Sequence, residues 1–257
     1  MQQGAVYEWP DHAERFRWRI LKEGNCLEVL AANDEILATV YRDSAALMGD
    51  AYGVDDPVVL AEHQAGLATL STTHVSLMEP WDSMLVHWKG GGSLDYVRST
   101  AATKRIARNE VLDFGGNPEW NHEAILMASF RAFCIYPFGN PLEGVTWAND
   151  LPVVPILEYD EPSPLGRAEW MKALAWLVSD SALDEANRVF DGVAARYVHA
   201  RAQGLPREDS LVVLTGSVEQ GLWSAPNSRS FVAQLLRDAG ARYALSGEMR
   251  QGNVELS

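Results

Sequence analysis

The sequence predicts an α/β protein of two α/β lobes, each a parallel sheet flanked by helices. A long helical connector joins them, a β-rich extension precedes them, and the carboxyl-terminal lobe is shortened. Three observations predict this. A strand, loop and helix pattern occurs twice. The apolar run 66–70 ends in Ser71-Thr72-Thr73-His74 and passes into helix-like 75–79; the run 211–214 ends in Thr215-Gly216-Ser217, crosses a loop holding Trp223 and enters helix-like 231–239. A long stretch of helical periodicity separates the copies, and two-residue alternation precedes the first. Lobes facing each other across a stiff connector form a cleft lined by loops at the carboxyl ends of strands, which suits ligand capture.

In residues 1–61, Phe16-Arg17-Trp18-Arg19-Ile20 and Cys26-Leu27-Glu28-Val29-Leu30 alternate around Glu23-Gly24-Asn25, a hairpin signal. Residues 62–164 form the amino-terminal lobe, with buried strands at 67–70, 132–136 and 153–157 and helix-period residues at 123–128. In the connector, 165–204, Trp170, Leu174, Leu177 and Val178, then Leu183, Ala186, Val189, Phe190 and Tyr197, recur at helical spacing. Ser179-Asp180-Ser181 breaks this run and supplies a fresh cap, so the connector is two helices or one kinked helix. The partial carboxyl-terminal lobe, 205–257, shows one clear strand, one helix and a possible second strand at 242–245, a poor core by itself.

Lys and Arg number 21 against 35 Asp and Glu, and the net charge of −14 repels a phosphate backbone, so nucleic acid is not an expected partner. No apolar run approaches the roughly 20 residues of a membrane helix, and no signal peptide is visible. Cys26 and Cys134 read as two unpaired thiols. Of the six histidines, only His74, His87 and His122 fall near the expected cleft, none at helical ligand spacing, so no metal site is assigned. Gly90-Gly91-Gly92 lacks the spacing of a nucleotide loop and reads as a mobile turn. Ser217 lacks a Gly-x-Ser-x-Gly elbow, and Asp160 and Glu161 read as a solvated pair in a Pro-rich loop, which argues against a hydrolase.

Several stretches together resemble the substrate-binding proteins of ABC importers. They are Leu70-Ser71-Thr72-Thr73-His74, Asn121-His122-Glu123-Ala124-Ile125, Pro164-Leu165-Gly166-Arg167-Ala168-Glu169-Trp170-Met171-Lys172, and Thr215-Gly216-Ser217-Val218-Glu219-Gln220-Gly221-Leu222-Trp223 followed by Ala233-Gln234-Leu235-Leu236-Arg237-Asp238-Ala239-Gly240-Ala241. The branch resembled has a helical backbone between its lobes and takes up iron-siderophore complexes, haem or cobalamin; the likeness covers residues 67–253. It implies a periplasmic or extracellular protein that holds a metal chelate or tetrapyrrole without catalysis and without a cofactor. The ligand is passed to an ABC permease, the only route of membrane association. Glu123 sits where the family places the amino-lobe docking Glu, and the helical connector implies a small hinge motion. Family members normally continue beyond the point matching 252–256, so one cleft wall and the second docking Glu are expected to be missing.

A planar macrocycle or catecholate chelate calls for aromatic walls and hydrogen-bond donors or Arg. The candidates are Thr72, Thr73 and His74, then Trp88 with His87, Phe114 with Trp120, and Phe138 in Pro137-Phe138-Gly139-Asn140, with Gln220, Trp223 and Arg229 from the second lobe. Thr72 and Thr73 equally suit helix capping. Trp223 sits in a segment too rich in turn residues to be core. A remnant without a tight ligand and a binder of bare divalent metal are the alternative readings.

Overall fold

The computed structural model describes residues 5–50, 53–62, 64, 66–116, 119–136, 151–204, 210–219, 221–247 and 254–256. The amino-terminal extension is a five-stranded sheet. Strands β1 (Val6–Glu8), β2 (Phe16–Ile20), β3 (Asn25–Leu30) and β4 (Ile36–Tyr41) run antiparallel, and after helix α1 (Ser44–Met48) the short β5 (Val58–Val59) adds in parallel to β4. The predicted β2–β3 hairpin is present, with Gly24 at φ +78° turning the chain. Alternation buries Phe16, Trp18, Leu27 and Val29 in the main core. On the other face Glu28 receives Arg17 and Arg19, each at 2.7 Å.

The amino-terminal lobe begins with β6 (Leu67–Thr69), α2 (Thr72–Met78), α3 (Asp82–Leu85), β7 (Trp88–Gly91), α4 (Thr100–Ala107) and β8 (Leu112–Asp113). It continues through a small hairpin of β9 (Gly115–Gly116) and β10 (Glu119–Trp120), α5 (His122–Met127), β11 (Ala132–Ile135) and β12 (Val153–Pro155). Its sheet is parallel throughout, in the order β12-β11-β6-β7-β8. Three of these strands are those predicted, and β7 is the correction. Gly90 and Gly91 are not a mobile turn but the end of a buried strand. Side chains from both faces descend onto them: a Cβ at Gly90 would lie 2.3 Å from Phe114 Cζ, and one at Gly91 2.8 Å from Leu94 Cδ2. Glycine is required there by close approach.

The connector is two helices, α6 (Pro164–Val178) and α7 (Asp180–Ala202), as the break predicted. Ser163 Oγ caps α6 by accepting from Gly166 N at 2.9 Å, with Pro164 in its first turn. Ser179 closes α6 and caps α7, accepting from Ala182 N at 3.1 Å. Eleven of the fifteen residues of α6 are buried, so it is a core helix rather than an exposed strut. No helix among the described residues is long and apolar enough to cross a membrane.

Two acids on this segment hold the extension. Glu169 is fully buried and accepts from the backbone N–H groups of Asp11, His12 and Ala13 at 3.0, 2.7 and 2.9 Å, and from Lys172 Nζ at 2.7 Å. Glu161 accepts from Glu14 N, Arg15 N and Trp170 Nε1 at 2.9, 3.0 and 2.8 Å. Glu161 is therefore buried, not the solvated turn acid the Pro-rich loop suggested. An unbroken row of backbone donors, 11–15, ends on the two carboxylates.

The carboxyl-terminal lobe comprises β13 (Val212–Val213), β14 (Ser217–Glu219), β15 (Leu222–Ala225), α8 (Phe231–Asp238), β16 (Arg242–Tyr243) and β17 (Val254–Leu256). β13 and β16 pair in parallel, and β14, β15 and β17 form an antiparallel sheet. The predicted loop around Trp223 is thus a hairpin, with Val218 opposite Trp223 and Gly221 at φ +83° in the turn. α8 packs against α6, while Leu211, Val212 and Leu214 remain exposed. Cys26 and Cys134 are free and buried.

Candidate functional site

The carboxyl ends of the parallel strands, the start of α2 and the start of α6 meet at one corner facing α8. β6 passes into α2 because Ser71 caps the helix: its Oγ accepts from Thr73 N at 3.3 Å and lies 2.7 Å from Thr73 Oγ1. The exposed Thr73 hydroxyl donates to Glu158 Oε1 at 2.5 Å. Glu158 follows β12 and is 3% exposed. Behind it His74 is fully buried on α2, with Nε2 3.5 Å from Glu158 Oε2. That separation lies at the outer limit of a hydrogen bond. His74 Nδ1, His74 Nε2 and Glu158 Oε2 are all buried without a hydrogen-bond partner among the described residues.

Arg167, in the first turn of α6, completes the corner. Its guanidinium lies 3.9 Å from the ring centroid of Phe231 on α8, a cation–π contact between connector and second lobe. Burial pushes its pKa down, against the opposing pull of the Glu158 and Glu161 carboxylates, and no hydrogen bond or ion pair engages it among the described residues. Burial alone would push the Glu158 carboxyl up, but His74, the Thr73 hydroxyl and Arg167 outweigh it and hold the group below its ordinary value. Trp120, half-buried, lies against Gly92 just past β7, where a Cβ would come within 2.4 Å of Trp120 Cζ3. The corner thus offers the exposed Thr73, a half-buried cation and the half-buried ring of Phe231.

The predicted residues divide among several places. Thr73 lies in this corner, and Thr72 is half-buried in the same first turn of α2. His74 backs Glu158 from the core instead of facing the cleft. Trp88 and Phe114 are corrected outright. Trp88 is fully buried in β7, donating from Nε1 to Thr69 Oγ1 at 3.1 Å, and Phe114 is fully buried against Phe133 and Phe130. A ring packed on every side cannot wall a cleft. Trp223 is half-buried on β15 with its indole over Gly216, and Arg229 is exposed in the turn before α8, its backbone N–H bonded to Asn227 Oδ1 at 2.7 Å. His87 is half-buried, its pKa lowered by burial and by Lys89 and Arg105. Phe138 and Gln220 lie outside the described residues. Glu123 is exposed in the first turn of α5, which Asn121 caps through Ala124 N at 2.9 Å.

Sequence reasoning missed Glu158 and Arg167. Arg167 stands inside a stretch that carried the resemblance, and Glu158 directly follows a predicted strand, so the carboxyl-end rule pointed to Glu158. Cavities of about 400 Å³ on the outer face of the extension and about 510 Å³ beside Arg201 and Arg242 lie away from this corner. Among the described residues no group of three or more His, Cys, Asp or Glu is placed to hold a metal ion.

No protein-family model matches the chain, and no curated protein matches it in sequence. Solved structures do match its fold. A possible iron-binding (periplasmic solute-binding) protein from Staphylococcus epidermidis superposes with a TM-score of 0.58 at 10% identity, over 76% of this chain and 71% of that one. The periplasmic vitamin B12 binding protein BtuF of Vibrio cholerae gives 0.52 at 10% identity, over 76% and 71%. The triscatecholate siderophore binding protein FeuA of Bacillus subtilis, complexed with Ferri-Bacillibactin, gives 0.54 at 14% identity, over 77% and 67%. With parallel strands on either side of a helical connector, the chain has the two-lobed fold of the periplasmic substrate-binding proteins.

Proposed function

We propose that this protein is the substrate-binding component of an ABC importer, holding an iron chelate, haem or a cobalamin-type ligand between its lobes without catalysis. The lobes are residues 62–164 and 205–257, the connector is 165–204, and the protein works outside the cytoplasmic membrane. The observation that carries this reading is Arg167. A half-buried guanidinium with no hydrogen-bond acceptor among the described residues stacks on Phe231 across the junction of connector and second lobe, and its charge acts on Glu158. Such a cation beside a half-buried ring suits a ligand with both π faces and anionic oxygens. The fold shared with a vitamin B12 binder and a triscatecholate siderophore binder supports the same ligand class. Glu123, exposed at the start of α5, is the proposed contact with the permease.

The test is intrinsic tryptophan quenching by haem, vitamin B12 and a ferric tris-catecholate, with Trp223→Ala and Arg167→Ala beside the unaltered protein. Saturable quenching by one ligand at micromolar or lower concentration, weakened in Arg167→Ala, supports the reading. A flat response to all three rejects it in favour of a remnant that binds nothing tightly.

A further inference from the structure

Three buried polar atoms without hydrogen-bond partners among the described residues, His74 Nδ1, His74 Nε2 and Glu158 Oε2, share one corner beneath the proposed cleft. Buried polar groups are normally satisfied, so a cluster of this kind calls for an account. Glu158 faces three ways: Oε1 takes the Thr73 hydroxyl at 2.5 Å, Oε2 is 3.5 Å from the imidazole, and its charge acts on Arg167 without a hydrogen bond to it. The main neighbours of α2 are β6, α3 and α6, with the turn that carries Glu158. β6 brings no titratable group, α3 brings the exposed Asp82, the turn before α6 brings Glu158, Tyr159, Asp160 and Glu161, and α6 brings Arg167, Glu169 and Lys172, of which Glu169 and Lys172 bond each other and Asp160 takes Arg15. Glu161 is occupied by the extension and by Trp170 Nε1. The imidazole therefore has one unsatisfied carboxylate oxygen within reach.

We propose that a proton on His74 sets the charge that the cleft presents, making Glu158 the residue that tunes affinity for anionic ligands. With the imidazole neutral, the Glu158 carboxylate offsets Arg167. With the imidazole protonated, Glu158 is neutralised from behind by a charge-assisted contact, and Arg167 meets the ligand at full strength. An anionic chelate is then held more tightly with the imidazole protonated than with it neutral, by about tenfold for one offset charge. The inference rests on the inter-lobe binding reading for its ligand, though the proton linkage is testable without one.

In the ligand-free protein, the melting-temperature gap between the unaltered chain and Glu158→Gln is expected to widen from pH 8 to pH 5, because the imidazolium gains its carboxylate only in the unaltered chain. A gap that stays constant overturns the proposal. With a ferric tris-catecholate as probe, affinity rises towards acid in the unaltered protein and is flat in both Glu158→Gln and His74→Gln, at opposite levels. Glu158→Gln stays at the tight acid level and His74→Gln at the weak alkaline one. A merely structural role would weaken both variants alike, which also overturns the proposal. Vitamin B12, whose phosphodiester is balanced within the molecule so that it is neutral overall, shows a much weaker profile. If neither probe binds at any pH, the importer reading fails and the cleft-charge step falls with it, while the melting series still decides the proton linkage.

Discussion

Replacing Glu169 by Ala removes the acceptor of four hydrogen bonds at once. Three come from the successive backbone N–H groups of Asp11, His12 and Ala13, and the fourth from Lys172 Nζ, itself only 7% exposed. The lost bonds are not additive, because the freed N-terminal segment can lift towards water, whereas Lys172 stays beside Phe190 as a buried cation without its carboxylate. Breaking a buried charged pair by removing one partner costs about 3–5 kcal/mol, a large part of the roughly 5–15 kcal/mol that holds a domain together. In a chain of this size that lowers the melting temperature by about 10 °C. Urea denaturation of Glu169→Ala and of Glu169→Ala with Lys172→Met measures it: the second change should recover part of the loss, since the stranded cation disappears. Amide exchange at residues 11–15 should accelerate in both. A loss below about 1 kcal/mol, with those amides still protected, would refute the idea that this carboxylate anchors the extension to α6.

Further consequences concern the sheet, the acids and the hinge. Gly90→Ala inserts a methyl group into the ring cluster of Phe114 and Phe130 and should cost about 1–3 kcal/mol in chemical denaturation, whereas the same change in a free turn would cost little. Glu158 and Glu169 are held below the ordinary carboxyl value of 4.5, for Glu169 because Lys172 and the backbone donors outweigh the upward push of burial. Their stability contributions are present above 4.5 and vanish as pH falls through their lowered folded values. Glu161 is raised by burial, so its contribution is present below 4.5 and is lost as pH rises through its folded value. Urea midpoints from pH 5 to pH 3 should therefore fall, less steeply in Glu158→Gln; equal slopes would contradict the assignment. Because α6 is buried along most of its length and pinned to the extension, ligand should change the X-ray scattering radius very little, and a large contraction would show a hinge that this packing forbids.

Local signals made much of the fold legible. Alternation around Gly24 marked the β2–β3 hairpin, and Ser179, a cap in the middle of an apolar helical run, marked the division of α6 from α7. Strands β6, β11 and β12 announced themselves as short apolar runs. β7 did not, because half of it is glycine and glycine carries no periodic signal. The reason for Gly90 lies in Phe114 and Phe130, which reach it only after folding. The same cause misplaced Trp88, whose glycine neighbours suggested a loop. Glu161 looked solvated because its partners, the backbone N–H groups of Glu14 and Arg15, lie far away in sequence. At the proposed cleft, the place of Thr73 after a strand was legible, whereas Glu158 and Arg167 come together only when β12, α6 and α8 converge.

The most direct measurement is isothermal titration of a ferric tris-catecholate into the unaltered protein, Arg167→Ala and Arg167→Lys, with thermal melts to confirm that all three are folded. The account predicts saturable binding that weakens by about tenfold to a hundredfold in Arg167→Ala, as expected for a lost charge-assisted contact, and that is partly restored in Arg167→Lys. Binding of equal strength in all three folded proteins would contradict the claim that this corner is where the ligand is held.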